Sequence, residues 1–201
     1  MTTANKVSVR EAKRLQTRER LLGAAVAEFK RSGMADADVS VIVAAAGVAH
    51  GTFFFHFPTK EHVLLELERR EEERMSHQFD RFLATKHDLA GALNEAVRLV
   101  SGLERRLGVM LFKDFLALHF SQTRPPTEEG KDHPVIVVLA REIEQAQERG
   151  DVDADVDPMN SAVFFLLGLY ALLTTTTTWP TRDAMLEDFV TRTLRSLGVR
   201  R

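Results

Sequence analysis

Two runs of this sequence hold side chains whose type and spacing suit binding chemistry. The first is Ala46-Gly47-Val48 followed by His50-Gly51-Thr52-Phe53-Phe54-Phe55-His56-Phe57. A small residue where two helices approach, a residue able to make the turn and an apolar anchor inside it are the parts of a helix-turn-helix corner. Beyond the corner, Phe53 and Phe57 lie four apart and share one helix face, which pins the helix inward. That leaves His50, Gly51, Thr52, Phe54, Phe55 and His56 to face solvent and hence a DNA groove. One short helix cannot bury four phenylalanines around its whole circumference, and His56 reads as a phosphate or base donor rather than a core histidine. The second run, Asp151-Val-Asp-Ala-Asp-Val-Asp157, carries carboxylates at positions one, three, five and seven of a calcium loop. Val156 then stands where the turn glycine belongs and Ala162 where the bidentate glutamate belongs, so no calcium site is expected.

Enzyme chemistry finds little footing. The chain has no cysteine, and its seven histidines form no His-x-x-x-His pair, so no metal site is expected. A Gly-x-Ser-x-Gly elbow and a phosphate-binding glycine loop are both missing. Close carboxylate pairs fall only on charged helix faces. The expectation is a non-enzyme with no cofactor, in the reducing cytoplasm.

The elements that position the first run are all helical. Apolar residues recur every three, four or seven positions, and no stretch alternates as a half-buried strand does. A first helix is expected over residues 9–31, with Leu15, Leu22, Val26 and Phe29 along one side and Gly33 as its stop. Asp38 caps a short second helix presenting Val39, Ile42, Val43 and Ala46. A third begins near Ala49 and ends before Pro58. A fourth starts at Thr59 and runs to about Ala84. Its charged middle, 66–74, reads as a solvated face, with Glu66–Arg70 and Arg69–Glu73 spaced for ion pairing. Further helices fit 88–104, 106–120, 133–149, 157–176 and 182–197, and 121–132 is a long loop. The uncharged stretch 158–181 has an apolar centre of only 12 residues (162–173); a bilayer core needs roughly 20, so a membrane span is not expected. Residues 1–60 hold nine Lys and Arg against five Asp and Glu, a balance of +4, whereas the remainder holds eighteen against twenty-four, or −6. The basic part is the part with the helix-turn-helix, as phosphate contact requires.

The run from Ile42 to Glu61, Ile-Val-Ala-Ala-Ala-Gly-Val-Ala-His-Gly-Thr-Phe-Phe-Phe-His-Phe-Pro-Thr-Lys-Glu, resembles the signature of the TetR family of bacterial regulators. Leu21-Leu-Gly-Ala-Ala-Val-Ala-Glu-Phe29 and Gly33 are similar to that family's first helix, and the strong match covers about 17–65. The resemblance implies an all-α homodimer: an N-terminal three-helix helix-turn-helix domain (1–58) and a C-terminal helical ligand-binding and dimerisation domain (59–201). It implies a repressor that binds a pseudo-palindromic double-stranded DNA operator and is released by a small effector. It implies that His50, Gly51 and Thr52 face bases or phosphates, that Phe54, Phe55 and His56 face the groove or backbone, and that Lys60 meets a phosphate. The chain departs from the family twice: Ala49 replaces the usual Ser or Thr cap, and Phe54 replaces a tyrosine whose hydroxyl serves a phosphate. No Arg, Lys, Asn or Gln lies between Ala49 and Phe57, so base reading is expected to rest on His50, Thr52 and His56. Apolar contact from Phe54 or Phe55 to thymine methyls or sugars, together with DNA shape, supplies the rest.

In the C-terminal part, Asp157 and Pro158 are helix-start residues. The apolar helix that follows and the stripe Leu186, Phe189, Val190, Leu194 and Leu197 suit a four-helix dimer interface built from the last two helices of each subunit. Met75, Phe79 and Phe82 on the fourth helix, Met110, Phe115 and His119 on the sixth, and Phe164 and Tyr170 on the eighth outline a pocket for a small, largely apolar effector. His119 or Tyr170 would be its polar contact.

Overall fold

A computed structural model describes residues 8–121 and 134–199, with the side chain of His119 outside the description. Most of the expected loop 121–132 lies outside the described residues too. Nine helices and no strand occur among the described residues: α1 Val9–Asp36, α2 Val39–Ala46, α3 His50–His56, α4 Lys60–Leu83, α5 Leu89–Leu107, α6 Val109–His119, α7 Pro134–Glu148, α8 Pro158–Thr175 and α9 Arg182–Ser196.

Local chemistry explains most boundaries. Carboxylates of Asp38, Asp88 and Asp157 each accept a first-turn N–H at 2.7 Å, from Ser40, Gly91 and Asn160, so three helices begin at side-chain caps. Thr59 occupies the same position before α4 yet makes no capping bond; its hydroxyl sits 3.0 Å from His62 Nδ1 instead. Gly33 has φ 78° and interrupts α1 as expected, but a further turn follows to Asp36. That turn is held from outside: the N–H of Met34 donates to Asp114 Oδ2 on α6 at 2.7 Å.

One apolar core runs from Leu21, Phe29, Ile42, Phe53 and Phe57 through Leu64, Met75 and Phe79 to Leu139, Ile143, Leu169 and Val190. Leu15, expected on the inner side of α1, is 44% exposed, because α1 buries no side chain before Leu21. The middle of α4 also departs from expectation. Both predicted i,i+4 pairs form, but Glu68 is buried and Glu66 and Glu71 nearly so, in ion pairs to Arg18 and Arg106 on other helices. A charged surface that another helix covers is no longer a solvated face.

α8 packs along α7 and sends Ala162, Phe165, Leu166, Leu169, Tyr170 and Leu173 inward, the i, i+3, i+4, i+7 spacing of one helix face. At 18 residues it is long and apolar enough to pass a length-and-composition test for a membrane span, with a third of it buried against the rest of the protein.

Candidate nucleic-acid interface

The corner forms where the sequence signals it. Gly47 takes φ 65°, the left-handed conformation that glycine adopts without a steric penalty. The N–H of Val48 then reaches back to the carbonyl of Val43 at 3.0 Å and that of Gly47 to Ala44 at 3.1 Å, closing α2 in a Schellman-type end. α2 and α3 meet at a bend of 94°, within the range of a helix-turn-helix.

On α3, Phe53 and Phe57 are fully buried with ring centroids 6.1 Å apart. Phe54 is 47% and Phe55 73% exposed. His50 and Gly51 are exposed, and Thr52 and His56 half-buried. A Cβ built on Gly51 meets nothing within 4 Å, so internal packing does not require glycine there. Ala49 stands at the N-cap without a side-chain bond.

Several residues of this region were not legible as site residues. Arg18 on α1 donates from Nη1 to the carbonyl of His56 at 2.7 Å and from Nη2 to Glu66 at 3.1 Å. Its guanidinium lies 4.2 Å from the Phe57 ring centroid, a cation–π arrangement. Arg70 joins Glu66 to Glu19, so α1, the end of α3 and α4 share one charged cluster. Arg18 is bound 38 and 48 residues along the chain, where no sequence spacing announces it. Burial, and then the charges of Arg18 and Arg14, hold the His56 imidazole below its ordinary pKa, which favours its neutral form. Lys60 spends two donors internally, on the carbonyls of Ala35 at 2.8 Å and Ala37 at 3.2 Å; it braces the α1–α2 connection.

The expected effector residues divide. Met75, Phe79, Phe115 and Tyr170 are buried, and Phe82 is half-buried between Phe79 and His87. Burial, with the charges of Glu72 and Glu68, raises the Tyr170 phenol pKa, so the hydroxyl stays protonated. The other two described members lie apart from this buried set: Met110 is 50% and Phe164 70% exposed. Met110 sits in the first turn of α6, its methyl 3.4 Å from the Cβ position of Gly33. Phe164 is one position off the inward face of α8, and one residue rotates a side chain by about 100° around a helix. His119 falls on a side chain outside those described.

Residues 21–67 match the family model for bacterial regulatory proteins of the tetR family. The helix-turn-helix segment of this chain is thus of the tetR-family type. The A-factor receptor protein of Streptomyces griseus is 29% identical over 157 residues, 76% of this chain and 52% of that protein, so the match spans about half the length of that relative. Among solved structures, Salmonella enterica GusR superposes with a TM-score of 0.70 at 24% identity, covering 96% of this chain and all of that one. Thermus thermophilus FadR, a TetR family transcriptional repressor in complex with lauroyl-CoA, gives 0.65 at 22% identity, covering 90% and 92%. At these identities the structures speak for the fold, an all-α TetR arrangement with the helix-turn-helix first and the larger helical part after it.

Proposed function

We propose that this TetR family protein is a sequence-specific DNA-binding transcriptional regulator, a repressor that leaves its operator when a small, largely apolar effector binds. The observation that carries the reading is α3, which keeps Phe54 and Phe55 in solvent while Phe53 and Phe57 hold it rigidly to the core. Residues 1–58 are the DNA-binding unit and 59–201 the sensing and dimerising one. His50, Gly51, Thr52, Phe54, Phe55 and His56 contact a pseudo-palindromic operator, with apolar contact to thymine methyls replacing missing donors. Lys60 serves a phosphate with its remaining donor.

The buried set Met75, Phe79, Phe115 and Tyr170, with Phe82 at its edge, supports an apolar effector pocket with one phenolic contact. The T. thermophilus FadR bound to lauroyl-CoA is in keeping with an effector that has an apolar body. Dimerisation through α8 and α9 would cover the exposed Phe164 and Leu167, with Trp179 just beyond α8; two linked half-site contacts raise avidity through effective concentration. The protein acts in the cytoplasm, without catalysis.

The test is binding to the upstream region of its own gene, titrated with salt and then with apolar metabolites. Sequence-preferring, salt-dependent binding that metabolites weaken is expected. No preference for any upstream fragment would overturn the reading.

A further inference from the structure

α1 is longer than its packing requires. Its core contacts begin at Leu21, and residues 9–16 are all exposed. Eight residues make about 12 Å of helix beyond the core. The extension has an ordered start, because Ser8 Oγ accepts the N–H of Glu11 at 3.1 Å, yet it buries nothing that would favour helix over coil. It also lies outside the family match, which starts at residue 21, so the shared motif does not account for it.

Its charge has direction. Arg10, Arg14 and Arg18 follow at i, i+4 and i+8, along one side of the helix, and Lys13 is three residues from Arg10. Arg18, the inner member, is bonded to the carbonyl of His56 at the end of α3. The row of arginines is therefore rooted at the recognition helix. Arg14 and Arg10 follow at rises of about 6 and 12 Å. Arg14 is near enough for its charge to act on the His56 ring. On the next stretch of α1, Arg20 Nη1 lies 3.9 Å from the Cβ position of Gly47 at the corner. Arg10, Lys13 and Arg14 are exposed and make no ion pair among the described residues, whereas Arg18, Arg31, Arg69 and Arg70 all do.

We propose that the first two turns of α1 are a basic arm that lies on the DNA backbone flanking the segment read by α3, with Arg10 and Arg14 pairing with phosphates and Lys13 beside them. The proposal rests on α3 being the DNA-reading element. Guanidinium forks suit phosphate oxygens, and such contacts carry affinity and register without sequence information. The arm thus adds to a recognition helix that has few donors of its own.

The experiment uses the full chain and two duplexes from its upstream region. One ends at the outermost base pair whose substitution alters binding; the other extends about one helical turn further on each side. Binding is measured by fluorescence anisotropy across a salt series for the wild type, Arg10→Gln/Arg14→Gln and Arg10→Lys/Arg14→Lys. The wild type should bind the longer duplex more tightly and with a steeper salt dependence. The Gln pair should lower the log–log salt slope on the longer duplex by about two per subunit, since each lost phosphate contact removes roughly 0.9, and should erase the difference between duplexes. The Lys pair should keep most of the slope. Melting temperatures should not change, because these side chains leave the core untouched. A Gln pair that keeps the wild-type slope, or weakens both duplexes equally, would overturn the arm. A wild type that prefers no upstream sequence would overturn the reading of α3 itself, and the arm with it.

Discussion

α3 and α4 reverse what their compositions suggest. The short helix α3, His-Gly-Thr-Phe-Phe-Phe-His, is the most aromatic stretch of the chain, yet it holds Phe54 and Phe55 in solvent. The next helix carries Glu-Leu-Glu-Arg-Arg-Glu-Glu-Glu-Arg from residue 66, as polar a run as the chain has, yet it buries Glu68 and confines Glu66 and Glu71 in ion pairs to other helices. The number of neighbouring elements decides burial more than side-chain polarity does. α3 is covered on one side, whereas α4 touches α1, α5, α6 and α7. An apolar surface left uncovered and a charged surface made dry are both unusual for a soluble domain, and each points to a task beyond core formation.

The sharpest way to break this comparison lies within α3. Phe57→Ala should lower stability by about 3–5 kcal/mol, as large-to-small substitutions of buried aromatics do, and should also expose the ring site under Arg18. Phe55→Ala should leave chemical denaturation almost unchanged while weakening operator binding. Equal stability losses from the two would mean that α3 is core on both sides.

On α4, Glu66→Gln removes the charge of a carboxylate whose two oxygens accept from Arg18 (Oε2) and from Arg69 and Arg70 (Oε1). A loss on the order of 1–3 kcal/mol is expected, because partly buried guanidinium donors lose a charged partner. A loss below about 0.3 kcal/mol in urea denaturation would show that the cluster behaves as an ordinary surface pair.

Two further substitutions adjust α3 without touching its core. Ala49→Ser supplies the missing cap and should raise stability by about 1 kcal/mol, read as an increased melting temperature. Phe54→Tyr should tighten operator binding at fixed salt by giving a phosphate one more donor. No change in affinity would remove residue 54 from the DNA face.

The smallest effect belongs to the connection between α4 and α5. His87, beside Phe82, has its pKa raised first by the Thr85 carbonyl and then by Glu142 on α7, whose carboxylate is 3.0 Å from Nε2. A raised folded pKa contributes stability that is fully present below the ordinary value of 6.5 and is lost as pH climbs through the folded pKa. The stability gap between wild type and His87→Gln should therefore be larger at pH 6 than at pH 8. A gap that grows with pH would refute this coupling.

Much of the architecture was legible because it is local. The caps at Asp38 and Asp157, the turn at Gly47 and the i, i+3, i+4 apolar faces concern residues within a few positions of each other, and the observed helices α7, α8 and α9 begin and end within one residue of expectation. The inward pinning by Phe53 and Phe57 is likewise a matter of one helix turn. Expectation failed where a contact spans the chain. The long reach of Arg18 to His56 and Glu66, of Lys60 to Ala35 and of Met34 to Asp114 has no periodic trace. Which of several apolar residues on α6 and α8 turns inward also depends on where the neighbouring helices lie, and so the sequence did not show that Met110 and Phe164 stay exposed.

The sequence by itself determined the helices, the corner at Gly47 and the likeness of residues 21–67 to a regulator family, because propensity, capping and short-range spacing are local properties. Only the tertiary structure decided which charges are buried, which aromatics remain in solvent, and that α1 runs past its last core contact. Those depend on which helix covers which face, and that is settled when distant segments pack.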